Sequence, residues 1–129
     1  MRYQLQGAPL YAGFCCCADC RKASGAGAIP FMGYDAAAFK PAGPTKAIHT
    51  QLKNGRTATR NFCQVCGSLI FGGEYGKSSQ HTVYAGSLDD PNFFKPNHAI
   101  MTKDRAPWSA LPAGLELHVG MPGELHDAD

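Results

Sequence analysis

The chain has 129 residues, 44% of them hydrophobic, and a formal net charge of +2. One core serves a chain of this length, so a single zinc-binding β domain over residues 1–121 and a loose polar tail at 122–129 are expected, and the near-balanced charge advertises neither a nucleic-acid nor a membrane partner. No apolar run approaches the ~18 residues that span a bilayer, and the opening MRYQLQGAPLY is too polar for a secretory signal, which points to a reducing cytoplasm.

In chain order, Tyr3 to Gln6 and APLYAGF read as two short strands leading into the cysteine cluster FCCCADC. DCRKASG reads as one helical turn ended by Gly25, the residue type that most readily takes a left-handed cap. AIPFMGY and KAIHTQL read as strands separated by the Pro and Gly punctuation of KPAGPT. NGRTATRNF begins on an Asn-Gly turn and runs into Cys63, and SLIFGG runs out of Cys66, giving a strand, a knuckle and a strand. HTVYAGSL is the next strand, DDPNFFKPN an irregular loop, and HAIMT and LELHV are further short strands. No window keeps helical periodicity over the ~10 residues that a buried helix needs, so the class is mainly all-β.

The six cysteines carry the chemistry. In a reducing compartment clustered thiols serve as metal ligands or redox groups more often than as disulfides, and the adjacent Cys15 and Cys16 are badly placed for disulfide geometry. Zinc takes thiolates in a tetrahedral array, and a C-x-x-C turn presents two of them because its backbone doubles back. Two such turns occur, Cys17 to Cys20 and Cys63 to Cys66, the second followed by Gly67, which lets the chain leave tightly. One reading closes all four around a single structural ion. The other takes Cys15-x-Cys17-x-x-Cys20 as three thiolates with an open fourth position, the requirement of a catalytic zinc. Cys16 would point away from Cys15 and Cys17 if the cluster ends a strand, which makes it a small buried residue rather than a ligand. Neither turn has the strand-then-helix setting of a thioredoxin-like redox pair.

The blocks FCCCADCRKASGAG, RNFCQVCGSLIF, VYAGSLDDP and DRAPWSAL resemble, in order and separation, the glutathione-dependent formaldehyde-activating enzyme family, also called the centromere protein V family. The resemblance runs from about Tyr3 to Leu117. It implies several small coiled antiparallel sheets with zinc knuckles, like those of zinc-binding Rab exchange proteins. It also implies a catalytic zinc on Cys15, Cys17 and Cys20, with Cys63 and Cys66 as half of a structural zinc site. The chain departs from the family pattern in having Cys16 where His is usual, and in lacking the C-x-C-G that precedes the first strand and completes the structural site. A start downstream of the true beginning, an empty site or substitute ligands would each account for the missing pair.

The implied activity joins glutathione and formaldehyde into S-hydroxymethylglutathione, formally a carbon-sulfur lyase run in either direction, with a small thiol such as glutathione as partner. Two carboxylates on that thiol call for basic groups, and Arg21, Lys22 and Arg60 are the candidates, with Ser24 and Gly25 offering a hydroxyl and an N–H or else capping the turn. His49, His81, His98, His118 and His126 stand at no ligand spacing and read as ordinary strand or tail residues, His98 being notable for preceding a family-like strand. Trp108 reads as a core anchor, and the carboxylates of LDDP as turn formers ahead of Pro91. The competing function is a non-catalytic, zinc-stabilised binding module built on the closed four-cysteine site.

Overall fold

The computed structural model describes residues 1–52 and 54–122, so the expected tail lies almost wholly outside them, as does His126. Two compact units emerge, one of Met1–Tyr11 with Met32–Pro91 and the other of Ala12–Phe31 with the chain from Asn92 on. Among the described residues no helix is long and apolar enough to cross a membrane.

The first unit is built on antiparallel strands. Strand β1 (Arg2–Leu5) pairs with β4 (Phe39–Ala42), while β5 (Thr45–Gln51), β6 (Thr57–Cys63), β7 (Leu69–Gly72) and β8 (Gln80–Tyr84) pair in sequence. The Asn-Gly turn between β5 and β6 forms as read, with Gly55 at φ 84° and the Arg56 N–H donating to Asn54 Oδ1 at 2.9 Å. Phe39 and Phe71, each 1% exposed, meet at 4.7 Å between ring centroids and centre a core with Tyr34 and Val83. Burying one such ring stabilises the fold by about 1.5–3 kcal/mol. A register shift between Asn61 and Phe62 interrupts the β6–β7 ladder, and the buried Asn61 amide compensates by donating to the carbonyls of Phe71 (3.1 Å) and Gly73 (2.7 Å).

The second unit contains β2 (Tyr11–Cys15), α1 (Ala18–Ser24), β9 (His98–Ile100) and β10 (Glu116–Leu117), with β9 between β10 and β2. Strand β3 (Ile29–Asp35) begins in this unit and ends in the other. Here the pairing is parallel, with Gly13 opposite His98, Cys15 opposite Ile100, and Glu116 also opposite His98. Close approach explains Gly13, since a Cβ there would lie 2.6 Å from the His98 carbonyl oxygen.

Most of the expected strands are found, and the chain is mainly β in several sheets. The antiparallel arrangement holds for β1–β4 and β5–β8, whereas β9 runs parallel to both neighbours, made possible by the long returns before and after it. KPAGPT hides the end of β4, where Pro41 is tolerated because the two-stranded sheet leaves every strand an open edge. Asp89 does more than form a turn, since its carboxylate pairs with the Arg2 guanidinium. Trp108 is not a core anchor: it is 67% exposed, because tight turns at residues 102–109 carry it outward rather than into a strand's inner face.

Candidate metal centre

Strand β2 delivers Cys15 at its end, and α1 begins one residue after Cys17, so three cysteines fall on a single strand-to-helix corner. Cys17 caps the helix, its Sγ accepting the Cys20 N–H at 3.2 Å, and Gly25 closes the other end at φ 70° with its N–H on the Arg21 carbonyl. The single turn expected from DCRKASG is therefore a seven-residue helix, and Cys17 to Cys20 does have a strand-then-helix setting, contrary to the sequence reading, because the Cys17 cap and the Gly25 stop extend the turn. Its consequence is chemical: the Sγ atoms of Cys15, Cys17 and Cys20 all lie within 4.8 Å of one another, half-buried. Among the described residues this is the one group of three or more His, Cys, Asp or Glu side chains gathered closely enough to hold a metal ion.

Three thiols so close cannot titrate independently. Hydrogen bonds from the Cys15 and Cys20 thiols, together with the backbone N–H groups of Cys20 and Asp19, pull the Cys17 thiol well down. The same contacts to Cys17 and Cys20, with burial, push Cys15 up. One sulfur is thus prepared to carry negative charge before any cation arrives. Cys16 lies between two of these residues in sequence but is 0% exposed, its N–H held by the Ile100 carbonyl at 3.1 Å, and burial pushes its thiol up.

The second cysteine turn belongs to the first unit. Cys63 ends β6, buried at 4% exposure, while Cys66 is exposed with its Sγ 3.2 Å from Ser68 Oγ. Gly67 sits at φ 77° and donates to the Cys63 carbonyl at 2.8 Å, which is the tight exit the sequence anticipates. Backbone N–H groups of Cys66 and Val65 hold the Cys63 thiol down to about 7. A cavity of ≈ 420 Å³ opens beside the pair, bounded by Met1, Ser68 and Ser87.

The expected substrate residues are distributed unevenly. Arg21 lies on α1 next to Cys20, and its Nε is buried without a partner. Lys22 is exposed on the same helix. Ser24 is committed to capping, its Oγ donating to the Cys20 carbonyl at 2.8 Å and accepting the Ala26 N–H at 3.2 Å. Arg60 is 8% exposed within β6, opposite Ile48 and Gly72, in the unit that holds Cys63 rather than the one that holds Cys15. Two features escaped the sequence reading. His81 is 1% exposed among the rings of Phe39, Phe71 and Tyr75, its Nδ1 on the Gly72 carbonyl at 3.0 Å and its Nε2 unpartnered. Arg105, in the block DRAPWSAL, is held by its own loop, its Nε donating to the Ser109 carbonyl at 3.0 Å.

A C-x-C-x-x-C corner that gathers three sulfurs, on a mainly β chain with a second cysteine knuckle, defines a thiol-rich class of protein whose cluster could hold a metal ion. The family model of the glutathione-dependent formaldehyde-activating enzyme matches residues 1–104, and the chain belongs to that family. No curated protein matches the chain.

Proposed function

We propose that this protein is a zinc-dependent, carbon-sulfur lyase-like enzyme that acts on the adduct of glutathione, or a similar small thiol, with an aldehyde, such as S-hydroxymethylglutathione. The observation that carries this reading is the convergence of Cys15, Cys17 and Cys20 within 4.8 Å in a chain of the formaldehyde-activating family. The donor set fits zinc: thiolates about 2.3 Å from a tetrahedral ion stand about 3.8 Å apart, so the sulfurs need close up by no more than about an ångström. Cys15, Cys17 and Cys20 would hold the ion, and Cys63 and Cys66 would supply two ligands of a second, structural site. Bound on three protein thiolates, zinc supplies an open position that acidifies an incoming thiol and fixes its sulfur.

The chain's own groups do the rest. In the lyase direction the carbon–sulfur bond breaks with its electron pair remaining on sulfur, the hydroxyl proton leaves, and the carbon–oxygen bond becomes a carbonyl; synthesis is the reverse. The substrate must therefore be held by its distant charges while its sulfur and carbon are positioned. Arg21 suits this task, since its guanidinium sits one residue from a cluster cysteine with a buried Nε that no described group satisfies. Lys22 adds positive charge on the exposed side of the same turn, and Ser24 contributes by fixing the helix end. Residues 1–121 would work as one cytoplasmic domain.

Zinc per chain, measured by mass spectrometry before and after dialysis against glutathione, together with proton NMR of glutathione–formaldehyde exchange, tests the reading. Bound zinc and an exchange rate well above the uncatalysed background are expected. Zinc indifferent to glutathione with no acceleration would sink the enzyme and favour the closed binding module.

A further inference from the structure

Strand β5 has a neighbour on one side only. It ends its sheet, its other edge bonded by no described group, and each residue from Thr45 to Gln51 pairs with β6 without a register shift. Two bonds bracket this ladder, the Gln64 N–H on the Pro44 carbonyl at 3.2 Å and the Leu52 N–H on the Arg56 carbonyl at 2.7 Å. In an antiparallel pair, residues bonded to the partner strand alternate with residues whose backbone groups are turned away. Pro44 and Leu52 face β6, so Lys46, Ile48 and Thr50 do as well. The N–H and carbonyl groups of Thr45, Ala47, His49 and Gln51 are therefore aimed outward from the sheet.

Such an edge is a template for another strand, and proteins usually blunt it with proline, a bulge, short length or charge. Strand β4 is blunted in this way, being four residues long with Pro41 inside it. Strand β5 runs for seven residues with no proline, no acidic residue and no bulge, and Lys46 is its one permanent charge. Its two faces are also open, with Ala47 and His49 exposed on one and Ile48, 53% exposed, on the other.

The pattern along β5 is complementary to itself. Laid antiparallel on a second β5 with Ile48 at the twofold axis, the whole strand overlaps: Thr45 meets Gln51, Lys46 meets Thr50, Ala47 meets His49 and Ile48 meets its own copy. The bonded positions are then the outward-facing ones, and four residues on each copy, with two groups apiece, close eight backbone hydrogen bonds. That lies within the roughly 5–15 direct hydrogen bonds of an ordinary protein interface. Opposed residues that are not bonded bring their side chains closest, and at the axis these are the two Ile48 side chains. Lys46 faces a hydroxyl in place of another lysine, so no like charges oppose. Moving the axis to Ala47 or His49 keeps the bonding pattern but leaves only five residues of each strand in register.

We infer that β5 is a dimerisation edge, on which a second copy of this chain adds its own β5 antiparallel about Ile48 and continues the sheet across a twofold axis. This interface is independent of the thiol chemistry proposed above. Built on one pair of strands, it belongs to the small, concentration-dependent class of association.

Sedimentation velocity of the full chain from about 1 μM to about 1 mM tests it, under reducing conditions that keep the exposed Cys66 from cross-linking. The wild-type mass is expected to climb from 13.8 kDa toward twice that value. Ile48→Glu and Ile48→Lys each set like charges against each other at the axis and should raise the dimer Kd about tenfold or more, while an equimolar mixture of the two recovers association. Ala47→Pro removes an outward N–H from each copy and leaves the β6 ladder whole, so it should also raise the Kd about tenfold, with an unchanged far-UV circular dichroism spectrum. A wild type that keeps the monomer mass up to about 1 mM overturns the interface and leaves the edge to a strand of some other protein. Dimerisation of all three variants at the wild-type Kd places the contact elsewhere and also overturns it. Charge variants that stay monomeric when mixed overturn the pairing about Ile48.

Discussion

The two cysteine turns share a C-x-x-C spacing but differ in what stabilises their sulfur. At Cys17 the help comes from other thiols, because Cys15 and Cys20 converge on it at a strand-to-helix corner. At Cys63 it comes chiefly from backbone N–H groups of the knuckle, with Cys66 pointing out to solvent. A knuckle geometry is enough to prepare one sulfur, but only a third cysteine two positions upstream turns such a pair into a cluster with three donors. Spacing alone therefore does not distinguish a corner that can host chemistry from one that can only clasp.

The most forceful way to break this comparison is to remove one sulfur from each turn. Cys17→Ser should strip the cluster of its metal and lower glutathione–formaldehyde exchange by about 100-fold or more, since two remaining thiolates make a poor site. Cys66→Ser should leave exchange within about threefold, because its effect passes only through stability. Metal content by mass spectrometry and exchange by NMR check both. Equal loss in the two variants would mean that the turns serve one site, and the distinction would fall.

The next test concerns the glycines beside the two turns, which are needed for different reasons. Gly13 is required by close approach, its missing Cβ leaving room for the His98 carbonyl at 2.6 Å, so Gly13→Ala must push β9 away from the strand that carries Cys15. Such overpacking costs about 1–3 kcal/mol. Gly67 has open space around it but sits at φ 77°, so Gly67→Ala meets only backbone strain, about 1–2 kcal/mol. Urea melts should rank the two variants in that order, and only Gly13→Ala should weaken metal retention at the three-cysteine corner.

What the sequence disclosed follows the same division between local and long-range causes. Alternation in QHTVY, the Asn-Gly turn at residues 54–55 and Gly25 after DCRKAS are local signals, and β8, the β5–β6 hairpin and the end of α1 form accordingly. The three-cysteine corner was legible because its members lie within six positions of one another. Pairing across long returns was not, so the parallel runs of β9 beside β2 and β10 could not be read from HAIMT or LELHV. The same holds for single side chains. His81 looks like any strand histidine until Phe39 and Phe71 arrive from elsewhere in the chain, and Trp108 looks like core until the turns at residues 102–109 carry it outward. Arg105 stood within a recognised block, yet its hold on the Ser109 carbonyl exists only in the folded loop.

The smallest effect separates the units by their histidines. His98 sits half-buried in the parallel strand, against the edge of Phe31 and with its Nδ1 on Asn97 Oδ1, and its ring lies 6.1 Å from that of His118. Burial first, and then the neighbouring His118, lower its pKa, against weaker opposing help from the Ala12 backbone and Glu116. The unfolded chain, with a histidine pKa near 6.5, therefore takes up this proton at a higher pH than the native one does. As pH falls below about 6.5 the unfolded state binds more protons, and stability declines; the contribution is intact above that value and lost once pH has dropped through the lower native pKa. Melting temperature should thus fall between about pH 7 and pH 5.5, with the slope reduced in His98→Gln, which keeps polarity without titrating. Since the burial that depresses this group includes the tight contact over Gly13, the slope reports on the strand that presents Cys15 and not on the Cys63 knuckle. An unchanged slope in His98→Gln would assign the acid sensitivity to other groups and leave the two cysteine turns alike in their response to pH.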